Sequence, residues 1–111
     1  TDAASLTRFF TPVSPGHALI ISRRHVANLF ELSAGEQAAI WALLPAIRTA
    51  IGSRHAPAGY NVGVNVGAAA GQTVEHVHVH VIPRYEGDAA DPRGGVRWVL
   101  PDRAAYWNPT R

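Results

Sequence analysis

The sequence predicts an α+β fold: a single domain over residues 1–111, with an antiparallel sheet of about five strands and one main helix. Three observations carry this. Two stretches, Tyr60–Val66 and Gln72–Pro83, alternate apolar and polar residues with a period of two. A third, His17–Ser22, is a short apolar run bounded by turn residues. Between them, Ile40, Leu43, Leu44, Ile47 and Ile51 recur at helical spacing.

Pro12-Val13-Ser14-Pro15-Gly16 is turn chemistry, since proline fixes φ and glycine accepts unusual backbone angles. No clear period precedes it in Thr1–Thr11. It delivers the first strand, on which His17, Leu19 and Ile21 should share a face. A lone histidine at a strand start is ordinarily structural. Arg23–Leu32 reads as a loop with a short helical turn. Ser33 and Glu36 have the spacing of a capping box, which opens a helix predicted from about Ala34 to Ile51 and ending at Gly52. Pro45 removes a hydrogen bond inside it and should bend it.

In Tyr60–Val66, Asn61, Gly63 and Asn65 fall on one face and the valines on the other. Gly67 and Gly71 then bracket three alanines before Gln72. That connection is long enough for a hairpin setting Asn65 beside the next strand, and a small-residue loop with exposed amides can receive an anion. After Pro83 the chain turns, and Val96–Leu100 reads as a short strand ending at Pro101. Arg93, Arg97 and Trp98 could approach a substrate, although packing and solvation explain them equally well.

The chemistry concentrates in Gln72–Pro83. His76, His78 and His80 alternate with valines, so on a strand all three share a face, with imidazoles about 6.5–7 Å apart. Three readings compete. A polar strand face that happens to carry three of the chain's six histidines is the plain one. Metal ligation is the second, because imidazole is a common ligand, although there is no cysteine and Glu75 lies on the valine face. Nucleophilic catalysis by one imidazole, with its neighbours handling protons and charge, is the third.

Composition narrows the classes. Apolar residues make up 47% and charged residues 16%, as in globular domains. The net charge is +2, all ten basic residues are arginine, and only Arg23-Arg24 are adjacent, without the basic stripe of a nucleic-acid surface. Nothing reads as a transmembrane span or a secretion signal, so a cytoplasmic protein is expected. Thr1 is not an initiator, and residues upstream are expected to have been removed or left out.

These residues resemble the histidine triad (HIT) superfamily. His76-Val77-His78-Val79-His80-Val81-Ile82 matches its His-x-His-x-His-x-x signature, Pro12–Ile21 is similar to its upstream histidine strand, and Asn65–Val74 to its phosphate-binding connection. Arg84–Trp98 is similar to bacterial members near the fragile-histidine-triad branch. The resemblance implies a HIT-like fold and a homodimer. It also implies hydrolysis or transfer at the α-phosphate of a dinucleoside polyphosphate or nucleoside phosphoramidate, through a nucleotidyl-histidine. Carried over by position, His78 is the nucleophile, His80 sits near the scissile bridge, and His76 and His17 support the site. Asn65, Gly71, Gln72 and Thr73 would hold phosphate and leaving-group oxygens, and Leu19 would border the nucleoside pocket. The mechanism requires no cofactor or resident metal, though a divalent cation can arrive with the substrate. A cysteine-bound structural zinc, found in some members, is excluded by composition. The partner is a small nucleotide, with neither nucleic acid nor membrane. The alternatives are a metal-dependent hydrolase using the histidine row, and a nucleotide-binding dimer module without turnover.

Overall fold

The computed structural model describes residues 3–8 and 12–108. Among these, four strands form one antiparallel sheet in the order β1-β2-β4-β3: β1 Ala4–Arg8, β2 Ala18–Ser22, β3 Gly59–Val64 and β4 His78–Arg84. Strands β2 and β4 are central. Two helices, α1 Ala34–Ala42 and α2 Leu44–His55, lie between β2 and β3 in sequence. The α+β antiparallel architecture is as expected, but the described residues form four strands where about five were expected.

Alternation places the core. On β4, Val79, Val81 and Pro83 are buried while His78, His80, Ile82 and Arg84 are half-buried. On β2, Ala18, Ile20 and Ser22 are buried and Leu19 and Ile21 half-buried. From these strands Ala18, Ile20, Val79 and Val81 cluster with Ile40 of α1, Ile47 and Ile51 of α2, and Leu29 and Leu32 of the preceding loop. Removing each valine, leucine or isoleucine side chain from water stabilises the fold by about 1.5–3 kcal/mol before entropy is counted. The valine face therefore holds the helices. The histidine face is left for chemistry.

The local signals mostly hold. Ser33 Oγ accepts from the Glu36 N–H at 3.1 Å while Glu36 Oε1 accepts from the Ser33 N–H at 2.8 Å, so the capping box forms. A 3-10 turn occupies Leu29–Glu31 within the expected loop. Four expectations are corrected. Pro45 does more than bend the helix: the segment divides at Leu43, and proline occupies the first turn of α2, where its missing N–H is harmless. The second helix passes Gly52 and ends at His55, capped by Ala56 in the left-handed region at φ 49°. Residues 96–100 form no strand; Gly95–Val99 is a 3-10 helix leading into α3, Pro101–Ala104. β1 lies where no period was read, since its place comes from backbone pairing with β2, Ala4 opposite Ser22 to Arg8 opposite Ala18.

The turn before β2 is pinned across the sheet. Ser14 Oγ donates to the Pro83 carbonyl at 2.7 Å, and the Tyr85 hydroxyl donates to the Pro15 carbonyl at 2.6 Å. Gly16 adopts φ +86°, and a Cβ there would lie 2.9 Å from His55 Cδ2 and 3.3 Å from Ile51 Cγ2. Both conformation and space call for glycine. Gly16→Ala should therefore lower unfolding free energy by about 1–2 kcal/mol, read as a reduced urea midpoint; an unchanged midpoint would show that the turn relaxes freely.

Candidate active site

The site is built around His80. On β4 it lies opposite Leu19 of β2 and Gly63 of β3, so one flank carries an apolar side chain and the other carries none. A Cβ at Gly63 would meet no atom within 4 Å, leaving the surface beside the His80 ring open.

His17 is buried, 5% exposed, at the entry to β2. Its Nδ1 accepts the Val13 backbone N–H at 3.2 Å, and its Nε2 lies 2.9 Å from His80 Nδ1. An amide N–H can only donate here, so His17 Nδ1 is bare and its Nε2 carries the proton. His17 then donates to His80 Nδ1, which leaves the His80 proton on Nε2. The same logic governs His78, whose Nδ1 lies 2.8 Å from the His76 carbonyl oxygen. A carbonyl only accepts, so Nδ1 holds the proton and Nε2 presents a lone pair. Two hydrogen bonds to backbone set three imidazoles.

Burial lowers the pKa of His17. His80 is lowered by burial first, then by the neighbouring His17 and His78. Both are neutral near pH 7. The His78 and His80 rings meet edge-on with centroids 5.2 Å apart, closer than the extended spacing because the rings lean together.

His76 departs from the expected row. The strand begins at His78, and His76 lies in a bend before it. The cause is that the Val77 N–H leaves the ladder for the Val26 carbonyl at 2.9 Å, while the Val77 carbonyl still accepts from the Ser22 N–H, its register partner on β2, at 3.4 Å. His76 Nε2 donates to the Ser22 carbonyl at 2.7 Å, so the ring anchors the bend whose carbonyl orients His78. Sequence reasoning missed His25, which stacks on His76 at 4.7 Å and reaches the Glu75 carbonyl at 3.1 Å. Its signal was available: a histidine three residues beyond the strand that flanks the histidine row.

The connection from β3 is organised by Gln72. Its side-chain oxygen accepts the Gly67 N–H at 2.8 Å, and its amide nitrogen donates to the Ala27 and Val74 carbonyls at 2.7 and 3.1 Å. Gly71, at φ +92°, closes a 3-10 turn over Ala68–Ala70 and donates to the Ala68 carbonyl. The N–H groups of Gly67, Ala70, Gly71 and Gln72 are thus engaged within the loop, and these four do not form the backbone anion cradle expected there. Thr73 is exposed. Asn65 is half-buried, one residue beyond the last β3–β4 pair, Val64 opposite Val79.

Comparison with known proteins decides the family. A model of the HIT domain matches residues 1–87. The chain belongs to the HIT domain family. Bis(5'-nucleosyl)-tetraphosphatase [asymmetrical] of Schizosaccharomyces pombe is 36% identical over 80 residues, 72% of this chain and 44% of that protein. Adenosine 5'-monophosphoramidase of the same organism is 45% identical over 73 residues, 66% of this chain and 52% of that protein. The chain spans about half the length of these curated relatives. A crystal structure of a HIT family protein from Bacillus anthracis superimposes with a TM-score of 0.74 at 34% identity, covering 79% of this chain and 62% of that one. No helix among the described residues is long and apolar enough to cross a membrane.

Because burial lowers the His17 and His80 pKa, their protonation is coupled to folding. The unfolded chain gains protons on these rings as pH falls through about 6.5, before the folded state does. Their stabilising effect is complete above that pH and is lost below it. Glu36 and Asp88, held at about 2 by Arg24 and Arg84, act only in stronger acid. Urea midpoints measured from pH 8 to 5.5 should fall from about 6.5 downward, and less so in His17→Gln; a midpoint flat or rising with acid would contradict this.

Proposed function

We propose that this HIT domain transfers a nucleotidyl group from the α-phosphate of a dinucleoside polyphosphate or nucleoside phosphoramidate to His78, and then to water. One observation carries the reading: the His78 Nδ1–H bond to the His76 carbonyl directs the Nε2 lone pair outward. The names of the two relatives, a nucleosyl tetraphosphatase and a monophosphoramidase, point to the same substrate classes.

The steps balance. His78 Nε2 attacks the α-phosphorus in line, the bond from phosphorus to the leaving oxygen breaks, and that oxygen keeps the electron pair; in a phosphoramidate the leaving nitrogen keeps the pair and takes a proton from solvent. The His78 ring becomes cationic, and its Nδ1–H bond to the His76 carbonyl strengthens with the charge. Water then attacks the phosphorus, the P–N bond breaks, its electron pair returns to Nε2, and one water proton passes to solvent. A neutral nucleophile suits an anionic centre that repels hydroxide. The His80 Nε2–H supplies a directed donor for phosphate or bridging oxygen, held in place by His17. Asn65 and Thr73 complete the phosphate surroundings in this reading, on a connection that Gln72 holds through the Ala27 and Val74 carbonyls, and Leu19 the nucleoside side.

Metal ligation is not favoured. His17 Nε2 and His80 Nδ1 lie 2.9 Å apart, a hydrogen-bond distance, whereas two imidazole nitrogens on one tetrahedral ion stand about 3.3 Å apart. Among the described residues, no three acidic or histidine side chains converge as ligands. The proposed assembly is a homodimer in the cytoplasm, for which Trp41, 40% exposed on α1, offers apolar surface.

Two variants test the reading. His78→Ala should lose turnover by at least about a thousandfold while retaining nucleotide binding. Rapid-quench mass spectrometry of the parent protein should find a nucleotidyl adduct on His78. Turnover near the parent rate in the variant would end the assignment. Gly63→Val puts a side chain on the open flank of His80, so it should leave the unfolding midpoint nearly unchanged and cut kcat/KM more than about tenfold. An unaltered kcat/KM would show that substrate does not cross that flank.

A further inference from the structure

His25 is exposed, in the loop that leaves β2, yet it makes two directed contacts across to the chain before β4. Its ring stacks on His76 with centroids 4.7 Å apart and planes 23° from parallel, and its Nε2 donates to the Glu75 carbonyl at 3.1 Å. His76 returns the contact, its Nε2 donating to the Ser22 carbonyl at 2.7 Å. Residues 22–26 and 75–77 thus exchange side-chain bonds to each other's backbone, with the two stacked rings between them. A carbonyl only accepts, so each neutral ring carries its proton on Nε2.

What this clasp holds is one peptide group. The His76 carbonyl oxygen accepts from His78 Nδ1 at 2.8 Å, and the Val77 N–H, in the same plane, donates to the Val26 carbonyl at 2.9 Å. Rotating that plane would break both bonds at once. Donation by the Val77 N–H also polarises the carbonyl, which makes it a stronger acceptor for the His78 proton. Val77, 1% exposed, fixes one side of the peptide in the core. His76 fixes the other, and His25 lies on its ring face.

The loop that carries His25 has a firm base. The Arg24 guanidinium donates to the Glu31 carbonyl at 2.9 Å and forks onto Glu36 at 2.9 and 3.0 Å, the carboxylate that also closes the capping box of α1. The Arg24 carbonyl accepts from the Ser22 hydroxyl at 2.8 Å and the Val26 N–H at 3.1 Å. Both sequence neighbours of His25 are therefore tied down.

We infer that His25 is a positioning residue for the nucleophile: its stacked ring holds His76 and, through the 76–77 peptide, keeps the His78 ring in the tautomer and orientation that attack requires. The inference rests on the His78 reading and deepens it. His25 itself touches no reacting atom. The demand on the peptide rises during the reaction, because a nucleotidyl-His78 ring is cationic and its Nδ1–H pulls harder on the His76 carbonyl. Removing an exposed side chain opens no core cavity, so the effect falls on turnover more than on unfolding.

Three variants test this. His25→Ala removes both the stack and the donor, His25→Phe keeps a ring on the His76 face and loses only the donor, and Ile47→Val loosens the core from α2. With diadenosine tetraphosphate as substrate, His25→Ala should lower kcat/KM at least about tenfold while affinity for adenosine monophosphate stays within about twofold. His25→Phe and Ile47→Val should both stay within about threefold of the parent, although Ile47→Val lowers the urea midpoint more than His25→Ala does. A loss in His25→Phe or in Ile47→Val as large as that in His25→Ala would overturn the inference. A second readout needs no substrate. Long-range ¹H–¹⁵N spectra of His25→Ala should show a share of His78 protonated on Nε2 that neither the parent nor His25→Phe shows. An unchanged His78 ring in His25→Ala would overturn the positioning role whatever happens to turnover. An inactive parent whose His78 tautomer still shifts in His25→Ala would uphold the positioning and count against His78 as nucleophile alone.

Discussion

The direction of one hydrogen bond, from His17 to His80, is decided outside both rings. The Val13 N–H occupies His17 Nδ1, which forces the His17 proton onto Nε2 and the His80 proton onto its outer nitrogen. The site's polarity descends from a turn that contains no catalytic atom. That turn is held by Ser14 on the Pro83 carbonyl and Tyr85 on the Pro15 carbonyl, both reaching the far end of the strand that bears His78 and His80. Backbone amides and carbonyls cannot change their donor or acceptor character with pH, so they fix tautomers more reliably than titrating side chains would.

The same economy runs through the sheet. Burial of alternate residues on β2 and β4 against α1 and α2 holds the valine face, and the period of two then leaves His78, His80 and Arg84 on the other. A one-residue slip would exchange the faces, so the apolar core enforces the register of the chemistry. Gly63 opposite His80 adds the remaining requirement, an open flank. Further along that face, Arg84 links the histidine row to the segment beyond the family match through Asn61 and Asp88.

What was legible in the sequence was whatever alternation or capping controls. The His78–Val81 row, the β3 alternation, the Ser33–Glu36 box and the helical stripe all depend on neighbours within a few residues. What was not legible depends on distant backbone. His76 leaves the strand because the Val77 N–H turns to the Val26 carbonyl, a contact with no local signature. β1 exists through its pairing with β2. Val96–Leu100 has strand composition, yet Gly94 and Gly95 at positive φ coil it into a 3-10 helix. Gln72 matched the family's phosphate connection, and the structure shows its side chain also organising that loop.

The central claim is that backbone hydrogen bonds fix the tautomers before any substrate arrives. Long-range ¹H–¹⁵N correlation spectra of the histidine rings, recorded on uniformly ¹⁵N-labelled protein above pH 7, read the protonated nitrogen of each ring directly. The account predicts a proton on Nδ1 of His78 and on Nε2 of both His17 and His80. A His78 ring protonated on Nε2, or a His17 ring protonated on Nδ1, would contradict it.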